Sequence, residues 1–567
     1  MSLDLNGKGP QRGRVPWMAP ILGHEGIYGT KLNWSDVAEF LHPLDPEHVL
    51  AACAWFSTQL YEGDEEAVVY ARAKKWLIPA DRHGKLDRHL KQLTHPDVAP
   101  RLFGEHHLMT LARQTLLHCQ GTVRYGDDGW KKRVSSALLI TNDICAQPAG
   151  IDPRQLSGIS TPGNRWLFFR SMLPQSVLSR HQMYAHIVAR ASLMFGELTR
   201  RHSADPEYID FDAACLTTMG LTFDELLMFG LFLGAALKKQ SGPNPGLTPA
   251  ALLNMVGLPA DAARRAMSFF VQTQDVAARR ERERVTQRGV FEPFDHIVLQ
   301  QHPIVQFEDR LLAPSYKLLM ERTTSGLYYV LLDAVSPEHR ANQRFFNFVG
   351  KLFHSYCDEL LSLAGRTVGA SYIPCPVVTG RKQPDGEWSE GDDVVLFEFK
   401  GGMFNFDAGV AAQDEMLRKC IDRVLIEAVD QLAAGVCAAR ARRNGRGRIY
   451  AVIVTQYSMV ANWLLMSVLH DRMKELGKSM EAFRDVPPLI LHISELERLE
   501  PVLNKSGWSL SRLLSRWAEV PAENLHNFLY AEKMNGWNEM NPWLRTVAEQ
   551  NSARWSKRLG SAFPSAA

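Results

Sequence analysis

The stretch VVLFEFK, residues 394–400, decides how the C-terminal part of the chain folds. Successive side chains of a strand point to opposite faces, so Val395, Phe397 and Phe399 share one face, while Glu398 and Lys400 end the other. Because both faces begin with apolar residues, we expect a central strand that is covered on both sides. Burying a carboxylate and an ammonium there is unfavourable unless they pair or bind something charged. The end of this strand is therefore the first candidate for a functional site.

A second carboxylate is expected close to the same strand end. Asp385, in the pair Pro384-Asp385, precedes Glu398 by thirteen positions, and EGD at residues 390–392 is typical of a hairpin turn between them. Two carboxylates at a strand end supply the hard oxygen ligands that suit Mg²⁺ or Mn²⁺, and such a metal polarises a phosphodiester. Lys400 would then orient the attacking water or stabilise the charge that develops on phosphorus.

Strands and helices alternate along the rest of the C-terminal part. The patterns predict strands at 297–301, 304–307, 327–332, 449–455 and 488–493, and helices at 342–363, 407–436 and 461–476. The first of these helices is expected to end at Ala364-Gly365. This alternation predicts an α/β domain with a mixed sheet flanked by helices.

The N-terminal half has the three- and four-residue apolar spacing of helices. The predicted helices include residues 35–56, 65–76, 106–119, 177–200 and 223–238. The run ARRERERVTQR, residues 278–288, alternates opposite charges and predicts a solvated helix end or linker, with a domain boundary near Gly289. We therefore divide the chain into a flexible arm (1–34), a mainly α-helical region (35–288), the α/β domain (289–500) and a helical extension (501–567).

Composition excludes several classes of protein. The 567-residue chain has a formal net charge of +2, so overall charge does not predict a polyanionic partner. No run reaches the ~18 apolar residues of a membrane span, and the N-terminus lacks the apolar segment of a secretory signal. The eight cysteines show no CxxC spacing, so buried, reduced thiols are expected rather than a zinc site. We expect a cytoplasmic protein that does not bind membranes.

The motif formed by Pro384-Asp385, twelve intervening residues and Glu398-Phe-Lys400 resembles that of the PD-(D/E)xK nuclease superfamily. That superfamily includes restriction endonucleases and many phage-defence effectors, and the resemblance covers about residues 294–500. It implies a restriction-endonuclease-like domain that hydrolyses phosphodiester bonds with Mg²⁺ or Mn²⁺, with DNA favoured as substrate and a role in bacterial anti-phage defence. A protein partner or activator, and a homo-oligomer, stay open.

The resemblance also suggests which acidic residue binds the metal. Asp392 and Asp393 lie closer to Glu398 in sequence than Asp385 does. In the superfamily an acidic pair before the apolar strand is often only the turn, so Asp385 is favoured, with Asp392 and Asp393 as alternatives. Whether one or two metals bind is left open.

Two helices contribute further candidates by resemblance. Family members often place a glutamine on the helix after the motif, and Gln431 matches, one turn before Gly435 and on an apolar stripe; a satisfied core glutamine is the alternative. On the preceding helix, His354 stands where relatives often have a glutamate, and it could serve as a metal ligand or proton carrier. Asp358 or Glu359 could take that place instead.

A basic cluster lies between the second of these helices and the next strand: Arg440, Arg442, Arg443, Arg446 and Arg448. Such a cluster suits sequence-independent contacts with nucleic-acid phosphates, and a solvated basic loop is the alternative. In the N-terminal half, Arg113 to His118 and Arg180 to His186 both have the loose arginine-to-histidine spacing of a helical RNase family, which keeps an RNase hypothesis for that half open. A non-catalytic nucleic-acid-binding or assembly protein with a degenerate nuclease fold is the main alternative function.

Overall fold

The computed structural model describes residues 23–62, 102–146, 161–167, 169, 184–238, 247–256, 258–336, 342–376, 382–402, 414–456, 462–520 and 524–562. The fold mixes helices with one three-stranded and one five-stranded sheet. Residues 1–22 of the predicted arm, the helix predicted at 65–76 and the first residues of the helices predicted from 177 and 407 lie outside the described residues. Within the described part, no single helix is long and apolar enough to cross a membrane, although the bent pair Phe211–Met219 and Phe223–Lys238 together passes on length and composition.

The described part of the N-terminal half is mainly helical, as predicted. Its helices are α1 His24–Tyr28, α2 Trp34–Leu41, α3 Pro46–Glu62, α4 Glu105–His118, α5 Trp130–Ala146, α6 Tyr184–Ala191, α7 Phe211–Met219, α8 Phe223–Lys238, α9 Pro249–Val256, α10 Ala260–Met267 and α11 Gln274–Arg288. Helix α6 continues through a π-helical turn, Ser192–Leu198, into Thr199–Arg201. The predictions at 106–119 and 223–238 are confirmed. The single helix predicted at 35–56 is instead two helices, because Pro46 occupies the first position of α3, where its fixed φ favours a new helix start.

The remaining helices surround the strands of the C-terminal half. They are α12 Ile297–Gln301, α13 Tyr316–Arg322, α14 Leu327–Val335, α15 Gln343–Val368, α16 Asp414–Ile421, α17 Glu427–Arg442, α18 Asn462–Glu475, α19 Ile493–Leu496, α20 Leu499–Ser506, α21 Leu510–Ala518, α22 Leu525–Ala531 and α23 Pro542–Ala562. A π-helical turn, Asp422–Ile426, joins α16 to α17. The strands predicted at 297–301 and 327–332 are wrong, since both segments are helical. Short apolar runs that are buried on most sides have no periodicity that separates a strand from a helix.

Helix α15 is longer than predicted. It does not end at Ala364-Gly365 but continues to Val368, where Gly369 closes it with a left-handed φ of 74°. Gly365 has a different role, because a Cβ there would lie 3.1 Å from the carbonyl oxygen of Ala370. Its missing side chain lets the chain fold back closely against the helix.

The five-stranded sheet contains the motif strand at its centre. Its strands, in order, are β4 Ser371–Pro374, β5 Gly386–Glu390, β6 Asp393–Lys400, β7 Ile449–Thr455 and β8 Leu489–His492. Strands β4, β5 and β6 are antiparallel neighbours, whereas β6, β7 and β8 run parallel. The strands predicted at 394–400, 449–455 and 488–493 are confirmed, as is the α/β domain with a mixed sheet. The carboxyl ends of β6, β7 and β8 meet at one edge of this sheet.

Both faces of β6 are covered, as the sequence predicts. Phe397 and Phe399 pack into the core that includes Phe353 of α15, while Val394 and Leu396 pack into a second core with α17 and α18. Every residue from 394 to 399 is buried. The helices on either side therefore fix the position of the polar end of β6.

A small sheet and a charged helix join the two halves of the chain. Strands β1 Val271–Thr273, β2 Ile304–Phe307 and β3 Arg310–Leu312 form the three-stranded sheet, and the strand predicted at 304–307 is confirmed. The charged run at 278–288 lies in α11 and is not only solvated, because Glu281 is fully buried and pairs with Arg113 of α4. Two hydrophobic cores contain residues from both sides of Gly289 in the sequence. The division of the chain into four parts stays a prediction.

Candidate functional site

Backbone hydrogen bonds hold Asp385 beside the polar end of β6. Its N–H donates to the carbonyl of Phe397 at 2.8 Å, and its carboxylate Oδ2 accepts from the N–H of Phe399 at 2.6 Å. The two other candidates lie at the opposite end of β6, where Asp392 is in the turn and Asp393 Oδ1 accepts from the N–H of Arg448 at 2.8 Å. The structure thus brings Asp385, and neither of the alternatives, to the end of the strand that carries Lys400.

Glu398 is a buried carboxylate whose two oxygens have different surroundings. The residue is 1% exposed, and its Oε1 lies 2.8 Å from Lys400 Nζ. Its Oε2 is buried and has no hydrogen-bond partner among the residues that the structure describes. Burial, reinforced by the charge of Asp385, raises the pKa of Glu398 to about 8, although Lys400 opposes the shift. An orphaned oxygen next to a second carboxylate is unfavourable, so this end of the sheet is suited to a cation.

Lys400 is held between two acceptors. Its Nζ donates to Gln431 Oε1 at 2.8 Å as well as pairing with Glu398, and its side chain is 18% exposed. Gln431 lies on α17 at the edge of the buried stripe, which is why its amide can reach the strand end. An ammonium has three N–H donors, of which the described residues use two, so a third is left for a bound group.

Close packing of α17 against the Pro384-Asp385 segment depends on Gly435. A Cβ on Gly435 would lie 2.7 Å from Cδ of Pro384 and 3.2 Å from Cδ1 of Leu396. A proline ring cannot rotate away, so Gly435→Ala must push Pro384, and Asp385 with it, out of place. We expect Gly435→Ala to lower the free energy of unfolding by about 1–3 kcal/mol, as overpacking does in other cores. Thermal and chemical unfolding measure this loss.

Gly350→Ala is the matched control. Gly350 is also inside a helix, α15, but a Cβ there would meet no atom within 4 Å. We expect this variant to be more stable than the wild type by about 0.5–1 kcal/mol, because alanine favours a helix interior. Equal stability changes in the two variants would contradict the close approach of Pro384 to Gly435.

The three candidates for a further ligand, His354, Asp358 and Glu359, all lie on helix α15, and two of them face the site. His354 Nδ1 lies 3.7 Å from Asp385 Oδ1, and the side chain is 42% exposed. Burial raises the pKa of Asp358, a hydrogen bond from the Tyr372 hydroxyl opposes the shift, and the charge of Asp385 adds to it. Glu359 instead pairs with Arg201 at the surface. His354 and Asp358 thus face the site, and Glu359 does not.

Sequence reasoning missed Tyr372. This residue lies on β4, and its hydroxyl donates to Asp358 Oδ1. A Cβ on Gly386 would come within 2.2 Å of that hydroxyl, so the glycine after Asp385 leaves room for it. The sequence signal for this contact was Gly386, because a glycine in a strand often marks a position where another group approaches the backbone closely.

The predicted basic cluster lies away from Lys400. Arg448 immediately precedes β7, which begins beside Val394, whereas Lys400 pairs with Thr455 at the other end of β7. Six residue steps separate these ends, about 20 Å along a strand. Arg443 contacts the carbonyl of Asp392 at that far end, and Arg440 pairs with Asp485. Arg442 pairs with Glu387, which lies opposite Leu396 in the middle of β6. Arg446 is exposed. Within the described residues, none of these arginines contacts Asp385, Glu398 or Lys400, so the structure does not bring the cluster into the candidate site.

The donor set fits a hard divalent cation. The orphaned Oε2 of Glu398 and the neighbouring carboxylate of Asp385 are the oxygen ligands that Mg²⁺ and Mn²⁺ prefer. Among the residues that the structure describes, no group of three or more His, Cys, Asp or Glu side chains is arranged as a ready metal site. Mg²⁺ usually keeps several of its waters and needs only one or two carboxylates, so the pair is a suitable set.

Known proteins offer no further guide. Neither family models, nor curated proteins, nor solved structures gave a match to this chain. What the site can do is therefore inferred from its own groups. These groups are the neighbouring carboxylates of Asp385 and Glu398, the second with an orphaned oxygen, and the ammonium of Lys400, whose third N–H is not used by the described residues.

In the N-terminal half, Arg113 is part of the interior. It is 1% exposed, its Nε donates to both carboxylate oxygens of Glu281 at 3.0 and 3.1 Å, and its Nη1 donates to the carbonyl of Glu292 at 2.7 Å. A guanidinium held in this way joins α4 to α11 and does not reach a substrate at the surface. The geometry therefore gives Arg113 a structural role and does not favour a catalytic role for Arg113 and His118. Arg180 of the second match lies outside the described residues.

Proposed function

We propose that the C-terminal α/β domain is a metal-dependent nuclease of the PD-(D/E)xK type, with DNA favoured as its substrate. The observation that carries this proposal is the orphaned, buried oxygen of Glu398 beside Asp385. Retaining such a pair destabilises the fold unless a cation binds there, and perturbed carboxylates of this kind are concentrated at functional sites. A role in anti-phage defence stays a prediction.

Asp385 and Glu398 would hold the metal, with His354 or Asp358 as a further ligand directly or through water. When bound, the metal supplies a Lewis acid that polarises the phosphodiester and lowers the pKa of water. The hydrogen bond from the Phe399 N–H fixes the carboxylate of Asp385, so this ligand is positioned before any cation arrives. Preorganisation of this kind reduces the rearrangement that binding requires.

Lys400 acts on the substrate side of the site. Glu398 and Gln431 each accept from its Nζ at 2.8 Å, which fixes the ammonium in a single place. Its third N–H can donate to a non-bridging phosphate oxygen or to the attacking water. A fixed positive charge at that point stabilises the negative charge that develops on the phosphoryl oxygens.

A cleavage assay tests the proposal. Wild type and Lys400→Ala are incubated with plasmid, linear duplex, single-stranded DNA and RNA, each with Mg²⁺, Mn²⁺ or EDTA. We expect cleavage by the wild type that needs the metal, and a loss of about 100-fold or more in Lys400→Ala, as for other preorganised charge-stabilising groups. Circular dichroism checks that the variant is folded.

Lys419→Ala is the matched control, because Lys419 is in the same part of the chain but is 74% exposed and pairs with its helical neighbour Glu415. It should cleave like the wild type. Equal cleavage by wild type and Lys400→Ala would show that the activity comes from another site or a contaminant. A wild type that cuts none of these substrates would contradict the proposal.

One observation favours the alternative of a non-catalytic nucleic-acid-binding protein. The ion pair between Lys400 and Glu398 partly neutralises the site without a metal. A degenerate nuclease would retain nucleic acid in a salt-sensitive way and would not cleave it. The unpartnered oxygen of Glu398 weighs against this alternative, because a site that binds no cation gains nothing from it.

A further inference from the structure

Two lysines share one carboxylate beside the candidate site. Lys382 Nζ lies 3.1 Å from Asp430 Oδ2, and Lys478 donates to the same oxygen. Asp430 directly precedes Gln431, the residue that holds Lys400. Lys382 precedes Asp385 by three residues and belongs to the segment that packs on α17 through Pro384 and Gly435. The shared carboxylate therefore places both lysines next to the residues of the site.

The charges of this trio do not cancel. Two ammonium groups against one carboxylate leave a net charge of +1. The Lys382 and Lys478 side chains are 65% and 35% exposed, whereas Asp430 is 20% exposed. The carboxylate thus lies beneath, and the two cations face solvent above it. Such an arrangement presents spare N–H donors to an anion from outside.

We propose that Lys382 and Lys478 bind the phosphodiester backbone of nucleic acid next to the phosphate that is cleaved, in competition with Asp430, the carboxylate with which both ammonium groups pair when no nucleic acid is bound. This inference rests on the proposed nuclease function. Lysine is a compact charge with three donors, which suits phosphate oxygens at any base sequence. The partner is therefore a nucleic-acid backbone, and the contact is independent of its sequence.

The alternative is an ion-pair staple, that is, a purely structural set of ion pairs that joins two surface segments. It would show the same contacts, but its variants would affect nucleic-acid binding differently. Exposed ion pairs of this kind contribute little to stability. If the trio were only a staple, removing Asp430 would weaken it and leave nucleic-acid binding unchanged. If it is a phosphate site, Asp430→Asn keeps the shape, removes the competing anion and leaves two positive charges for the backbone. The two cases therefore predict different binding by the same variant.

Binding is measured in EDTA, so that no cleavage occurs, with fluorescein-labelled duplex DNA, single-stranded DNA and RNA at several salt concentrations. We expect the double variant K382A/K478A to bind at least about 5-fold more weakly than the wild type. The slope of log K against log salt concentration should also be smaller in magnitude by about one to two, because each phosphate contact that is lost lowers the number of counterions released on binding by about one. Asp430→Asn should bind more tightly than the wild type. Lys505→Ala is the control, since Lys505 lies in the C-terminal extension and pairs with Glu539.

The outcomes separate this inference from the proposed function. Unchanged binding by K382A/K478A, or weaker binding by Asp430→Asn, would overturn the inference even if the wild type cleaves nucleic acid. A wild type that binds through these lysines but never cleaves would support the inference and contradict the nuclease. Thermal melting of each variant shows whether it is folded. A wild type that binds none of the probes would overturn the inference as well.

Discussion

Replacing Glu398 by glutamine should abolish metal-dependent cleavage and, in the same protein, raise its stability at alkaline pH. The folded-state pKa of about 8 lies above the ordinary value of 4.5. The contribution of this carboxyl to stability is thus fully present below pH 4.5 and is lost as pH rises through 8. Glutamine does not titrate and still offers Lys400 an oxygen. In EDTA, the free energy of unfolding of the variant should therefore rise relative to that of the wild type as pH increases from 5 to 9, by on the order of a few kcal/mol.

Melting temperatures of the two proteins across this pH range measure the effect. The control is Glu415→Gln, at a carboxylate that is 84% exposed and pairs with Lys419. Its difference from the wild type should not widen towards alkaline pH. A constant difference for Glu398→Gln as well would show that the folded protein does not hold a proton on Glu398. Mg²⁺ should stabilise the wild type more than the variant, because only the wild type has both carboxylates.

The sequence predicted three of the five strands of the main sheet, because each of these three is a mainly apolar run between turn signals. Residues 394–400, 449–455 and 488–493 are such runs, and all three are strands. The same rule failed at 327–332, which is helical. The apolar run alone does not distinguish a strand from a helix. The difference lies in the surroundings, because α14 packs inside the hydrophobic core whereas the three strands pair with neighbouring strands.

The sequence placed Asp385 near Glu398 because a hairpin turn lies between them, and hairpin geometry is local. The sequence did not reveal how far the arginine cluster lies from Lys400, because the position of that cluster depends on the direction of a helix. Helix α17 passes the site at Gln431 and runs back along β6, so Arg442, eleven residues on, is about 16 Å further along the axis. Adjacency in sequence to a helix that contributes to the site therefore does not imply proximity to the site.

The stability of the protein should depend strongly on Glu497, a second buried carboxylate that nothing local in the sequence reveals. Arg190 Nε and Nη2 donate to its two oxygens at 2.6 and 2.8 Å, and the Tyr356 hydroxyl donates to Oε1 at 2.6 Å. The partners lie 307 and 141 positions away in the chain. The network therefore joins α6, α15 and the end of α19.

Glu497→Gln should lower the free energy of unfolding by about 3–5 kcal/mol, because it leaves the buried guanidinium of Arg190 without a counter-charge. The double variant R190M/E497Q removes both charges and keeps an acceptor for Tyr356, so it should recover at least half of that loss. Glu475→Gln is the control, at a carboxylate that is 46% exposed, and should change stability by less than about 1 kcal/mol. A double variant as unstable as the single one would show that packing, not the unpaired charge, causes the loss.

One isosteric change is thus expected to act in opposite directions at two buried glutamates. Both side chains are almost fully removed from solvent, so burial alone predicts the same sign for both. The difference lies in their partners: both oxygens of Glu497 accept hydrogen bonds from charged or hydroxyl donors, whereas Glu398 has one orphaned oxygen and a second carboxylate nearby. A gain in stability for Glu398→Gln and a loss for Glu497→Gln would mark the first as a site kept for binding and the second as part of the fold. If both variants lost stability at alkaline pH, Glu398 would be a structural ion pair and the nuclease proposal would lose its main support.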